Sequence, residues 1–285
     1  MPSYLHFPSQ NQGEIIHFYH ANGFPAGAYM PILKRLSENF EVYALKGRAT
    51  LPNSGTPSHT DWHIFADDLI QLAEKFDQPI IAVGHSMGAS STVLAALKRP
   101  DLFKALVLIE PAMVSFPLSL LFKLVPKRII ARSKLVTGTL NKQDNWGSRQ
   151  DYLSYIERFH GYKDFKKETF DAFCENAIKE DEDGRYKLTF PKIWEAHNYT
   201  MPPYLISKLG QLDKLNVPTV AIRGRTNLFF TDGLWKSWRS AQKKAAFFQH
   251  KNFSHLFPLE GPEECIELIE AGLHQLQITK DLALS

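Results

Sequence analysis

The sequence predicts an α/β fold: a mostly parallel central sheet flanked by helices and interrupted by an inserted helical cap. Three observations predict it. Short apolar, β-branched runs alternate with amphipathic helical stretches from Glu14 to Glu110. Residues 112–211 then carry no convincing strand. Strand signals return at Pro218–Arg223 and Ala245–His250, before a closing helix over Pro262–Leu276. Apolar strands separated by helices point to a sheet covered on both faces.

In chain order, Glu14–Tyr19 reads as the first strand, Ala28–Leu36 as a helix and Glu41–Leu45 as the next strand. Trp62–Phe76 reads as a helix capped by Thr60 or Asp61, because Phe65, Leu69, Leu72 and Phe76 recur at helical spacing. Pro79–Val83 and Ala105–Ile109 are continuous apolar runs of strand length. A segment as long as 112–211 is not expected to be structureless inside a compact domain. The chain therefore divides into a first core part, 1–111, a helical cap, 112–211, and a second core part, 212–285.

Composition narrows the function classes. The chain has 285 residues, 44% of them hydrophobic, and a formal net charge of only +3, which gives no electrostatic case for nucleic acid. Two cysteines, Cys174 and Cys265, fall in helical-looking segments, so no disulfide framework is expected and a reducing, cytoplasmic setting is. The N-terminal stretch does not resemble a signal peptide, and no apolar run is long enough for a membrane-spanning helix. Ser115–Val136 mixes apolar residues with Lys123, Lys127, Arg128, Arg132 and Lys134. It is expected to roof a pocket rather than to touch a membrane.

The strongest chemical signal is Gly84-His85-Ser86-Met87-Gly88, which follows a buried strand and opens a helix. That context turns a common five-residue pattern into a specific one. Small residues two positions either side of the serine let strand and helix backbones crowd together. Ser86 Oγ then projects above the sheet as a nucleophile, and the Met87 amide at the helix start faces a developing oxyanion. With the upstream HANGFPAG and the downstream SHLFPLEGPEE, this motif resembles the α/β-hydrolase superfamily, specifically its cap-bearing, esterase-like branch. The resemblance covers nearly the whole chain and is weakest across the insertion.

That resemblance implies a histidine base in the loop after the last strand, where His255 falls. His250 ends the strand, His274 sits in the final helix, His85 points away from Ser86, and His20 braces the neighbouring loop. The resemblance also implies an acid after the Pro218–Arg223 strand, but Asn227 stands there. An amide can orient a histidine yet brings no charge. Some relatives carry the acid after the preceding strand, where this chain has Glu110, and the order Ser86, Glu110, His255 fits the fold. Glu110 is the preferred acid, Asp232 is a second candidate that needs a longer loop excursion, and a purely capping Glu110 stays open.

For the second oxyanion donor, aligning Asn22-Gly23-Phe24-Pro25 with the family's His-Gly-x-Pro loop nominates the Phe24 amide. Aligning His20-Ala21-Asn22 instead nominates Asn22. Lys46-Gly47-Arg48-Ala49 departs from the acidic loop common in relatives, so that pocket edge is expected to differ. In the insertion, Trp146, Trp194, Phe116, Phe122 and Phe190 are expected mostly to pack among themselves, beside a mainly apolar pocket.

The expected chemistry is hydrolysis of a carboxylic ester, or a related acyl bond, of a small, mainly apolar substrate through an acyl-enzyme. A thioesterase, a carbon–carbon bond hydrolase and a perhydrolase share the same residues, and a ligand-binding or signalling protein with a slow or vestigial site is the rival of another class. Ser86 as nucleophile argues against relatives that use a carboxylate there, the haloalkane dehalogenases and epoxide hydrolases. No cofactor-binding or metal-binding motif occurs, so no cofactor and no metal are expected. The expected partner is the small-molecule acyl substrate, with no nucleic acid and no integral membrane segment. The sequence leaves the oligomeric state open.

Overall fold

The computed structural model describes residues 2–11, 13–52, 54–113, 124–201, 214–227 and 230–279. In the first part of the chain these form β1 (Tyr4–Phe7), β2 (Ile15–Tyr19), α1 (Met30–Leu36), β3 (Glu41–Leu45), α2 (His63–Ala73), β4 (Ile80–His85), α3 (Met87–Lys98) and β5 (Phe103–Ile109). Next come α4 (Lys127–Ile130), α5 (Lys134–Leu140), β6 (Asn145–Trp146), α6 (Arg149–Ile156), α7 (Lys167–Asn176), β7 (Ile178–Glu180), β8 (Tyr186–Leu188) and α8 (Lys192–Tyr199). The chain then returns with β9 (Thr219–Arg223), α9 (Asp232–Ala241), β10 (Ala246–Gln249), α10 (Phe257–Glu260) and α11 (Pro262–Gln275).

The expected α/β architecture is present. Among the described residues, seven strands form one sheet in the order β1-β3-β2-β4-β5-β9-β10. All pairs are parallel except β1 with β3. Strand residues alternate between two cores. Tyr19, Ala82, Leu106 and Leu108 meet Phe65, Leu69 and Val93 of α2 and α3 on one face. Phe18, Val83, Val107 and Ile109 meet Ile32 and Leu33 of α1 and Ile269 of α11 on the other. Burial on both faces is why the central strands read as unbroken apolar runs.

Three features depart from the sequence reading. The edge strand β1 was not anticipated; its residues are half-exposed and its apolar signal is correspondingly weak. The helix expected over Ala28–Leu36 is split into a 3-10 turn, Ala26–Tyr29, and α1, with the N–H-less Pro31 accommodated in the first turn of α1. The interval 112–211, expected to lack strands, contains a three-stranded antiparallel sheet of order β6-β8-β7. Strands of two or three residues are too short to show a period. The charged run 179–185 makes its hairpin, with Asp181 Oδ1 accepting from the Asp183 and Arg185 amides.

The basic stretch expected over the pocket continues through α4 and α5. Ile130, Val136 and Thr139 are buried there, while Leu124, Ile129 and Leu135 are exposed. Trp146 packs edge-on against Tyr152 within the insertion, but Trp194 and Phe190 depart from the expected internal packing. Trp194 stacks on His59 and donates to the Gly55 carbonyl, and Phe190 meets His20. Phe116 and Phe122 lie outside the described residues. Cys174 and Cys265 are free and buried. Among the described residues, no helix is long and apolar enough to cross a membrane.

Candidate active site

The site begins at the β4–α3 turn. Ser86 has φ 53° and ψ −115°, backbone angles that a side chain tolerates at a cost of about 1–3 kcal/mol. The crowding around it dictates its neighbours. A Cβ at Gly84 would lie 2.6 Å from the Ala89 backbone nitrogen, and one at Gly88 would lie 2.2 Å from the Tyr19 carbonyl oxygen. Only glycine fits either position. The turn is pinned by the Ser86 amide donating to the Ile109 carbonyl at 3.0 Å, which registers it against the end of β5.

His255 arrives from the loop between β10 and α10. Its Nε2 lies 2.8 Å from Ser86 Oγ, and its Nδ1 lies 3.0 Å from Glu110 Oε2. An ionised carboxylate only accepts, so Nδ1 carries the proton and Nε2 is free to accept from the serine hydroxyl. Glu110, just past β5 with φ 47°, is fully buried. Besides His255, the Gly224 amide donates to its Oε1 at 2.5 Å and Asn227 Nδ2 donates to its Oε2 at 2.7 Å. A carboxylate inside the protein needs such donors to remain there.

The structure thus brings Ser86, His255 and Glu110 together and separates them from Asp232. Asp232 starts α9, a helix the sequence reading missed, where it is bound to Arg223 and Thr226, each at 2.6 Å. The Thr226 hydroxyl, then Arg223, hold its carboxyl below the usual range. Asn227, in the position where relatives carry an acid, turns its amide onto Glu110 instead. Its Oδ1 accepts from the Phe230 amide at 2.9 Å.

Phe24, expected as the second donor, and Asn22, its alternative, lie in one turn. Residues 21–24 form a tight turn with Gly23 at φ +82°, and the Phe24 amide closes it by donating to the Ala21 carbonyl at 3.3 Å. Asn22, weighed as the alternative, occupies the next position of that turn, and its amide has no acceptor among the described residues. Met87 is the first residue of α3, so its amide has no partner four residues back.

Supporting polar groups were only partly visible in the sequence. The Ala21 amide donates to Tyr29 Oη at 3.2 Å, which donates to His85 Nδ1 at 2.7 Å; His85 Nε2 in turn donates to the His255 carbonyl at 2.8 Å. His85 therefore points away from Ser86, yet ties the 21–24 turn to the backbone of His255. His20 bridges the same turn to the 46–49 loop, accepting from the Gly47 amide at 2.9 Å. Arg48 in that loop forks onto Asp68 at 2.7 Å. Beside Gly23 opens a largely aromatic cavity lined by Tyr152, Tyr155, Phe159 and Phe190, with the Lys142–Glu195 ion pair, 2.7 Å, at its wall.

The buried histidines set a pH dependence. Burial lowers His17 to about 3, with His20 adding to the effect. Burial likewise lowers His20 to about 4, and His85 to about 3 with help from His255. In the unfolded chain each titrates near 6.5. Because the folded values are depressed, the unfolded state takes up protons first as the medium is acidified. The stability is therefore complete above about pH 6.5 and is lost as pH falls from there toward 3. The thermal unfolding midpoint should drop steeply between pH 7 and pH 5; a flat profile across that window would contradict this account.

The fold has counterparts in known proteins. A family model described as the alpha/beta hydrolase family matches residues 17–268. The abhydrolase domain-containing protein ACTT2 of Alternaria alternata is 21% identical over 226 residues, covering 67% of this chain and 82% of that protein. The solved structure of E-2-(acetamidomethylene)succinate hydrolase superposes with a TM-score of 0.74 at 17% identity, covering 96% of this chain and 100% of the other. A marine microorganism esterase superposes with a TM-score of 0.71 at 16% identity, again covering 96% and 100%. At such identities the superpositions speak to the fold alone.

Proposed function

The chain belongs to the alpha/beta hydrolase family, and on that premise we propose that it is a serine hydrolase cleaving a carboxylic ester of a small, mainly apolar substrate. The observation that carries this reading is the continuous hydrogen-bonded line from Ser86 Oγ through both nitrogens of His255 to the fully buried carboxylate of Glu110. A turn serine of purely structural role has no use for an imidazole 2.8 Å from its oxygen.

In this reading His255 Nε2 takes the proton of Ser86 as Oγ attacks the carbonyl carbon. Glu110 holds the ring in the tautomer that permits this and stabilises the imidazolium that forms. The tetrahedral oxyanion is met by the amides of Met87 and Asn22, the latter replacing Phe24. His255 then returns its proton to the departing alkoxide, and the acyl-Ser86 ester is hydrolysed by a water activated through the same ring. In this reading residues 112–211 act as a cap over the substrate. The separate buried thiols of Cys174 and Cys265 fit work in a reducing, cytoplasmic setting.

A fluorophosphonate probe tests the reading without knowledge of the natural substrate. Ser86 should be phosphonylated within minutes at neutral pH, and peptide mapping should place the adduct on residue 86 alone. Absence of labelling would favour a binding protein that keeps the fold. Matched oxygen and thiol esters of increasing acyl length then separate esterase from thioesterase action.

A further inference from the structure

Asn198 sits on α8, in the inserted segment, and is fully buried. A buried amide must have its hydrogen bonds made. Here they run in one direction. The Glu195 carbonyl can only accept, so it fixes Asn22 Nδ2 as the donor facing it, at 3.0 Å. Asn22 Oδ1 must then face Asn198, whose Nδ2 donates to it at 2.8 Å. Asn198 Nδ2 also lies 3.6 Å from Met87 Sδ, while its Oδ1 accepts from His59 Nε2 at 2.9 Å. The Asn198 carbonyl is held by Trp62 Nε1 at 3.3 Å. A flip of either amide would set two oxygens against each other.

Asn22 and Met87 are the two residues whose main-chain amides meet the oxyanion in the mechanism above, and they come from different elements, the 21–24 turn and the start of α3. One side chain, on a third element, touches both. We propose that Asn198 is a positioning residue of the oxyanion hole, setting the spacing of the Asn22 and Met87 amides from within the inserted segment. This rests on the serine-hydrolase reading. It makes that segment part of the transition-state machinery and not only a roof over the substrate: a shift of α8 moves the donors themselves. Such donors act only when held where the charge develops.

The test measures p-nitrophenyl acetate turnover and the rate of Ser86 phosphonylation for Asn198→Ala, Asn22→Ala and the double variant. Asn22→Ala keeps its main-chain amide and breaks the same link from the core side, so it serves even where Asn198→Ala does not fold. Each single change should lower kcat by about tenfold to a hundredfold, less than the loss of a whole donor, and slow labelling similarly. KM should move by less than about threefold, because the interaction is made in the transition state. The double variant should be no worse than the poorer single one, since both remove one connection. A kcat within about twofold of wild type for Asn22→Ala, a loss confined to KM, or losses that multiply in the double variant overturn the proposal. Ser86→Ala measured in parallel separates the two levels. If it is inert while the asparagine variants are unimpaired, only the role of Asn198 falls; if it stays active, the serine-hydrolase reading falls with it.

Discussion

Ser86→Ala should abolish turnover of short p-nitrophenyl esters, with a loss of about a millionfold, while leaving the protein folded. The size follows from removing a nucleophile that its partners cannot replace: His255 and Glu110 act only through it, so most of what the three do together is lost at once. Stability moves differently. Alanine in place of serine removes one hydroxyl, bonded to His255 in a site where Ser86 is only 7% exposed. The backbone angle of φ 53° remains. Ser86→Gly relieves that angle and should raise the unfolding midpoint by a few degrees, consistent with about 1 kcal/mol of released strain. An inactive yet more stable glycine variant is the signature of strain maintained for chemistry. A serine kept for the turn would give the opposite pair of results: retained turnover, and no gain from glycine.

How much of this could be read from the sequence depends on whether the signal was local. The β4–Ser86–α3 unit was legible because both the apolar strand and the crowded glycines are written within ten residues. His255 was legible from its place between the last strand and the last helix. Which carboxylate meets His255 was legible only as a choice, since whether Glu110 reaches it depends on how β5, β9 and the 253–256 loop lie side by side. The choice between the Phe24 and Asn22 amides was hidden for a related reason: which amide of the 21–24 turn is left unbonded follows from the φ of Gly23, not from the pattern His-Ala-Asn-Gly-Phe-Pro. The strands β6, β7 and β8 were missed because each is too short to alternate visibly. Asn198 carried no local signal whatever. Its meaning comes from Asn22 and Met87, both more than a hundred residues earlier.

Glu110→Gln should lower kcat by about 10³–10⁴-fold, and Asn227→Ala by about tenfold or less. The first value follows from two losses at once. An amide brings no charge to stabilise imidazolium, and it has only one oxygen for donors that now occupy both carboxylate oxygens. Gly224 bonds Oε1 while Asn227 and His255 bond Oε2. Whichever way the glutamine turns, its NH₂ faces a group that is itself a donor, and the ring of His255 is released or held in the wrong tautomer. Asn227→Ala takes away one neutral donor and leaves the other two in place. Asn227→Asp is the more searching change. It sets a second carboxylate against Glu110 at the 2.7 Å now spanned by a hydrogen bond. Two such groups cannot both ionise cheaply, so the pair should share a proton and titrate at a raised apparent pKa. The acid limb of the pH–kcat profile should therefore move upward, with activity recovering as pH rises toward 8. If Asn227→Ala were instead as damaging as Glu110→Gln, or if Asn227→Asp were more active than wild type across the profile, the charge that serves His255 would belong at position 227. Glu110 would then be a buried capping carboxylate.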